Sequence, residues 1–245
     1  MERSSEEIPA EKIASNLARA RNRIAEAALR QGRKSDSVTL IAVTKYMGLA
    51  EIRTLYDLGV RDFGEARIQD AEKKIKELKL TSQNFDGIHW HLIGHLQTNK
   101  ADKASRLFET VHAVDSLRIA QALNKEREKN KLPPLACFLE VNVAGEANKF
   151  GFAPTHSEIT EMLKQCSVLS AIQIKGLMCM APHADAAEAT SRPVFRKLND
   201  LMAQANDSGA YPTRLSDLSM GMTQDYDIAI QEGATMVRVG SALFE

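Results

Sequence analysis

The chain has 245 residues, of which 44% are hydrophobic and 26% charged, a balance typical of a folded globular protein. Its 32 lysines and arginines equal its 32 aspartates and glutamates, which argues against a chain-wide attraction to nucleic acid or to an acidic membrane. The first ten residues lack the apolar core of a secretion signal, and no apolar run is long enough to span a membrane.

Apolar residues at helical spacing predict a first helix over Ala10–Gln31, with Gly32 as its stop. Eight short apolar runs follow and predict strands at Val38–Lys45, Val60–Ala66, Gly87–Gly94, Thr110–Asp115, Leu135–Val143, Ile172–Met180, Leu215–Met220 and Met236–Gly240. The stretches between them predict helices at Leu49–Leu58, Ile68–Leu78, Asn99–Phe108, Leu117–Asn130, Glu158–Cys166, Ala186–Asn206 and Tyr226–Gln231. Ser116 is placed to cap the helix that begins at Leu117.

This regular alternation of strand and helix predicts a parallel sheet, because each connection is long enough for a crossover helix. Eight strands in this length favour a closed (β/α)8 barrel of the TIM type. An open doubly wound sheet is the alternative, but the G-x-G-x-x-G fingerprint is missing after the first strand. With no linker or repeat in view, we expect residues 1–245 to form one domain.

The first predicted strand ends in a lysine, Lys45, where α/β folds place their ligands. An amine that loses hydration at such a position is suited to forming a Schiff base with a carbonyl. A lysine that simply extends from a strand end into solvent is the plainer interpretation.

Two later strand ends combine glycine and serine, at Ser219–Gly221 and at Gly240–Ser241. Glycine lets backbone N–H groups approach an anion, and barrels often bind phosphate after strands seven and eight. Ordinary turn glycines are the alternative. Arg238 lies in the eighth strand and is expected to point into the barrel mouth, as a partner for Glu140 or Asp115 or facing a ligand ring.

Other chemistries have weaker support. His89 and His91 share a strand face, but the nearby sequence offers no third ligand for zinc, and no G-x-S-x-G elbow supports a serine hydrolase. His183, after the sixth strand, is a further polar candidate. A lysine, an anion cup and an arginine at neighbouring strand ends fit pyridoxal 5′-phosphate (PLP). The three cysteines, Cys137, Cys166 and Cys179, have no disulfide or metal pattern, which predicts a reducing, cytoplasmic location.

The sequence resembles the pyridoxal phosphate homeostasis proteins, a family built on the barrel of the alanine racemase N-terminal domain. The similarity runs from about residue 12 to the C-terminus and includes A-V-T-K, F-G-E-A-R-I-Q-D, W-H-L-I-G-H-L-Q-T-N-K, H-A-V-D-S, L-E-V-N-V-A-G-E-A-N-K-F-G, K-G-L-M-C-M-A, L-S-M-G-M-T-Q-D and M-V-R-V-G-S-A-L-F.

The resemblance implies a fold-type III PLP barrel in which Lys45 is the Schiff-base lysine. It further implies that Ser219, Met220, Gly221, Gly240 and Ser241 form the phosphate cup and that Arg238 approaches the pyridine nitrogen. An arginine there disfavours protonation of the ring and weakens it as an electron sink. One residue departs from the family pattern, since Ala66 stands where asparagine is usual, and PLP affinity is expected to differ accordingly.

The resemblance favours a non-catalytic PLP-binding protein that maintains vitamin B6 homeostasis. We expect it to be a monomer and to have apo forms of PLP enzymes as acceptors. A PLP-dependent amino-acid racemase is the alternative. Racemases of this type use a tyrosine from a C-terminal β domain, which this sequence is expected to lack, unless a histidine such as His91 substitutes. A phosphosugar-binding barrel without PLP is a third hypothesis.

Overall fold

The computed structural model describes residues 8–81, 84–146, 150–182 and 187–245. His183 and part of the loop A-G-E-A-N-K-F-G lie outside these ranges. Helix α1, Ala10–Arg30, packs against the outside of the barrel through the apolar face that its spacing predicts, and Ile13, Leu17 and Ile24 are buried. Gly32 follows it with φ 65°, a left-handed conformation that ends the helix at little cost.

Eight strands in the described residues are hydrogen-bonded in chain order, and the eighth pairs with the first. All eight pairings are parallel, so the predicted closed barrel is confirmed. The strands are β1 Thr39–Val43, β2 Asp62–Glu65, β3 His89–Leu92, β4 Thr110–Val114, β5 Leu135–Glu140, β6 Ile172–Met178, β7 Asp217–Met222 and β8 Met236–Val239.

The remaining helices cover the outside of the barrel, and the main hydrophobic core lies between them and the strands. They are α2 Leu49–Asp57, α3 Ile68–Lys79, α4 Ala101–Leu107, α5 Leu117–Lys129, α6 His156–Cys166, α7 Ala187–Asp207, α8 Tyr226–Gln231 and α9 Ser241–Phe244, with a 3₁₀ turn at Thr98–Lys100 before α4. Ser116 caps α5 as predicted, since its side chain accepts a hydrogen bond from the Ile119 N–H. Helix α9 was not predicted.

Strand β7 is displaced along the chain, since it begins and ends two residues later than the predicted Leu215–Met220. Gly221 therefore lies inside the strand. Its φ is 91°, and a Cβ atom there would lie 2.6 Å from the Ala229 Cβ and 2.9 Å from the Tyr226 Cα. Only glycine allows α8 to approach β7 this closely.

The barrel interior contains both apolar and polar side chains. A small cluster of Ala113, Phe138 and Met178 packs separately from the main core. Buried polar side chains lie beside it, and His112 stacks on Phe138 with ring centroids 4.6 Å apart. The described residues include no helix that is both long enough and apolar enough to cross a membrane.

Candidate functional site

A cavity of about 590 Å³ opens at the C-terminal ends of the strands. Four of the seven residues predicted to bind a cofactor line it, namely Lys45, Arg238, Gly240 and Ser241. They come from the first and last strands and the segments that follow them. The pairing of β1 with β8 brings them together across the point where the barrel closes.

Lys45 is exposed at the mouth of this cavity, and its Nζ lies 5.0 Å from the centre of the Tyr46 ring. The expectation of a partly desolvated amine is therefore wrong for this structure. The reason is that β1 ends at Val43, two residues before the lysine, so the side chain starts beyond the sheet. The amine is accessible to a ligand that enters from solvent.

Arg238 is buried in the cavity wall, with 4% of its surface exposed. It donates hydrogen bonds to Ser219 Oγ at 2.7 Å and to the Cys179 carbonyl at 2.9 Å. Burial lowers the pKa of its guanidinium. Neither Glu140 nor Asp115 pairs with it among the described side chains, so the predicted carboxylate partner is replaced by two neutral acceptors.

Ser219, Met220 and Gly221 do not belong to the described cavity lining. Ser219 is fully buried in the barrel interior. Met220 packs in the main hydrophobic core between the strands and the helices, and Gly221 faces α8. Because β7 extends to Met222, the segment that reaches the cavity is Met222–Asp225. Direct ligand contact by these three residues stays a prediction without geometric support.

Thr223 and Gln224 occupy the place predicted for Ser219–Gly221, beside Gly240 and Ser241 in the cavity lining. Thr223 Oγ1 accepts a hydrogen bond from the Gly240 N–H at 3.2 Å and so ties the two loops together. The backbone N–H groups of Thr223, Gln224 and Ser241 have no acceptor among the described residues. Open N–H donors beside hydroxyl groups are what an anion site requires. The signal for these residues was the T-Q-D that follows L-S-M-G-M.

Acidic and imidazole groups line the opposite part of the wall. Glu140 is 5% exposed, and burial together with the charge of Asp115 raises the pKa of its carboxyl to about 7, although Arg238 acts in the other direction. His95 Nδ1 lies 2.9 Å from Asp115 Oδ2, and the His95 ring stacks on Phe150 with centroids 3.7 Å apart. The sequence offered Glu140 and Asp115 only as possible partners of Arg238 and gave them no common role with His95.

Ala66 also lines the cavity, so a methyl group stands where the family usually has an asparagine amide. His91 does not reach the cavity. It is 2% exposed, with Nε2 3.0 Å from Asp62 Oδ1 and Nδ1 2.9 Å from His112 Nε2. The carboxylate beside His91 was not foreseen from the sequence, but no cluster in the described ranges has the composition and geometry of a metal site.

Comparisons with known proteins find similarity over almost the whole chain. The family model of the alanine racemase N-terminal domain matches residues 8–245. A pyridoxal phosphate homeostasis protein of Pseudomonas aeruginosa is 41% identical over 233 residues, which cover 95% of this chain and 94% of that protein.

Solved structures show the same relationship. PipY of Synechococcus elongatus, determined with PLP bound, superposes with a TM-score of 0.79 at 35% identity, over 95% of this chain and 100% of PipY. An alanine racemase of Clostridium difficile shares the barrel fold, with a TM-score of 0.71 at 15% identity over 96% of this chain and 57% of its own. The chain therefore belongs to the alanine racemase N-terminal domain family and, within it, to the pyridoxal phosphate homeostasis proteins.

Proposed function

We propose that this protein binds PLP covalently through Lys45 and holds it for vitamin B6 homeostasis without catalysing a reaction on it. One observation carries the proposal. An accessible lysine, a buried arginine and two loops with open N–H donors share one cavity. These are the three things that PLP requires of a protein: an amine, an anion site and a partner for its ring.

The residues present fit the cofactor, with one revision of the predicted set. Gly240 and Ser241 contribute one half of the phosphate cup, and Thr223 and Gln224 contribute the other half in place of Ser219–Gly221. Gly240 leaves room for the ligand, since the nearest atom to a Cβ built there is the Val43 Cβ at 3.5 Å. When bound, PLP supplies an aldehyde that condenses with an amine and releases water. The protein supplies the amine, the anion donors and the orientation.

The charge of Arg238 in the cavity wall supports a protein that stores PLP rather than one that catalyses a reaction with it. Arg238 is donor-only and buried, so it favours an unprotonated ring nitrogen and a poor electron sink. His91, the histidine considered as a substitute second base for racemisation, is engaged with Asp62 and His112 inside the barrel and does not line the cavity. The names of the homologous homeostasis proteins point in the same direction.

The proposal extends to the setting of the protein. We place it in the cytoplasm as a monomer, with residues 1–245 acting as one PLP-binding domain and apo-PLP enzymes as acceptors. No disulfide joins the three buried cysteines among the described residues, which is consistent with a reducing compartment. The open mouth at Lys45 would allow an acceptor to reach the bound cofactor.

Replacing the lysine tests the covalent attachment. We expect wild-type protein mixed with PLP to develop a visible absorbance band and, after borohydride reduction, a stable adduct on the peptide that contains Lys45. Lys45→Ala should lose both signals because no amine remains at the cavity. Lys34→Ala, an exposed lysine just before β1, is the matched control and should retain both. A full adduct in Lys45→Ala would overturn the assignment, and rapid racemisation of a panel of amino acids by wild type would move the protein into the enzyme class.

A second substitution tests the phosphate cup. Gly240→Asp should weaken PLP affinity at least about tenfold, because it places a like charge against the phosphate. Gly240→Ala adds only a methyl group at ordinary contact distance and separates the effect of size from that of charge. Equilibrium dialysis, without borohydride reduction, measures the PLP affinity of wild type and of both variants. Equal affinities for the two variants would show that the phosphate lies elsewhere.

A further inference from the structure

A continuous line of hydrogen bonds crosses the barrel from its N-terminal face to the cavity. Asp62 Oδ1 lies 3.0 Å from His91 Nε2, His91 Nδ1 lies 2.9 Å from His112 Nε2, and His112 Nδ1 lies 2.8 Å from Ser219 Oγ. Ser219 Oγ accepts the 2.7 Å hydrogen bond from Arg238. The five residues come from β2, β3, β4, β7 and β8.

The two ends of this line differ in exposure. Asp62 opens β2 and has 27% of its side chain exposed, whereas the cavity end is closed to solvent within the wall. His91, His112, Ser219 and Arg238 are each at least nine-tenths buried. Buried polar groups of this kind are costly unless each has its partner, and here each has two.

The chemistry of the ends favours one direction for the bonds. Arg238 can only donate, so Ser219 Oγ accepts from it, and the serine proton is free to donate to His112 Nδ1. His112 then carries its proton on Nε2 and donates to His91 Nδ1. His91 in turn donates from Nε2 to the Asp62 carboxylate.

Starting from the other end gives the same answer. Asp62 is ionised at neutral pH: burial acts to raise the pKa of its carboxyl, but the interactions with His91 and His89 outweigh burial and hold that pKa below the usual range. An ionised carboxylate only accepts, so His91 donates from Nε2, and with both rings neutral each of the two histidines is again the Nε2–H tautomer. Burial, together with the nearby His91 and Arg238, keeps the pKa of His112 well below its usual value, which agrees with a neutral ring.

We infer that Asp62, His91, His112 and Ser219 form a one-directional hydrogen-bonded chain that positions Arg238 in the cavity wall. The three residues nearest the N-terminal face are positioning residues, since none of them belongs to the described cavity lining. The chain fixes which lone pair of Ser219 faces the guanidinium and hence where the remaining N–H groups of Arg238 point. This inference rests on the proposed PLP function for its consequence, although the tautomers exist in the protein alone.

The first experiment determines the tautomers of the two buried histidines in the protein without any ligand. Long-range ¹H–¹⁵N correlation spectra of histidine-labelled protein should show two neutral Nε2–H histidines, with the exposed His156 as an internal reference. Asp62→Leu should change the tautomer or the shifts of both buried rings. Asp62→Asn keeps a carbonyl acceptor at the same position and should restore the wild-type pattern.

A matched control distinguishes the loss of the hydrogen-bonded chain from a general loss of stability. Asp217 also opens a barrel strand and accepts a hydroxyl hydrogen bond, from Thr235 Oγ1 at 3.0 Å, but among the described residues it makes no hydrogen bond to either histidine. Asp217→Leu should leave both histidine patterns unchanged. The hydrogen-bonded chain would be refuted by a buried histidine in the Nδ1–H form. It would also be refuted if the spectra of both buried rings were unchanged in Asp62→Leu.

The second experiment asks whether the chain positions Arg238. Asp62→Leu should weaken PLP binding about fivefold and shift the absorbance maximum of the bound cofactor, as expected for a loss of one supporting hydrogen bond. Asp62→Asn should remain within about twofold of wild type by the same reasoning. If the tautomers respond while affinity and absorbance stay constant, the positioning role is refuted. If wild-type protein binds no PLP, the proposed function is wrong, but the histidine spectra still test whether the hydrogen-bonded chain exists.

Discussion

Lys74→Met is expected to destabilise the protein by about 3–5 kcal/mol, because it breaks a buried ion pair on one side only. Lys74 Nζ donates to Glu65 Oε1 at 2.7 Å and to the Thr44 carbonyl at 2.6 Å, and the two side chains are 11% and 0% exposed. Without the lysine, the Glu65 carboxylate would be left in the barrel wall with only Thr44 Oγ1, at 2.7 Å, as a donor. Burial already raises the pKa of this carboxyl against the opposing effect of Lys74.

Urea unfolding of three variants checks this prediction. The double variant Lys74→Met/Glu65→Leu removes both charges and should recover most of the lost stability. Lys76→Met removes an exposed pair with Glu72 on the same helix and should change little. Equal losses in Lys74→Met and the double variant would mean that packing, not the stranded charge, sets the effect. The Thr44 carbonyl directly precedes Lys45, so PLP capture should fall together with stability in Lys74→Met.

Glu140→Gln should stabilise the protein increasingly as the pH rises. The folded-state pKa of Glu140 is raised to about 7 from an unfolded value of 4.5. Below 4.5 the carboxyl is protonated in both states and has no differential effect. Between these values the folded protein keeps a proton that the unfolded chain has released, so stability is lost as the pH rises through this window. Above it the loss is complete, at about 3 kcal/mol.

The measurement is the difference in unfolding free energy between Glu140→Gln and wild type, taken at several values from pH 5 to pH 8.5. Glutamine does not titrate, so the difference should grow in favour of the variant and then level off above pH 7. Glu161→Gln, an exposed residue on α6, is the control and should show no such trend. A difference for Glu140→Gln that is constant with pH would mean that the carboxyl is ionised throughout or that it finds a partner on ionisation.

The barrel was predictable because its signal is local. Short apolar runs and amphipathic stretches alternate eight times, and each can be recognised within about ten residues. The position of Arg238 in the cavity wall followed from the same pattern, since a charged residue within an apolar strand must face a polar region. Helix α9 was missed because four residues, S-A-L-F, are too few to show a helical period.

The interior of the barrel was less predictable because its contacts are long-range. Ser219 resembled a loop residue beside Gly221, yet it is held inside the barrel by His112, which lies 107 residues earlier in the chain. Nothing in the L-S-M-G-M run marks where the strand ends, and an error of two residues in that end is why Ser219–Gly221, rather than Thr223 and Gln224, were predicted to face the cavity. The Asp62–His91 contact was hidden in the same way, since the two residues lie on neighbouring strands.

The closure of β1 onto β8 has a consequence for how the protein is made. The lysine and the arginine of the cavity lie near opposite ends of the chain, so a nascent chain emerging from the ribosome has no cofactor site until its last strand has emerged. Folding must wait for this long-range pairing, which is slow in comparison with local helix formation. A ligand bound by residues from both ends of the chain would stabilise the closed barrel. The free energy of unfolding would then increase with the logarithm of the free ligand concentration once that concentration exceeds Kd.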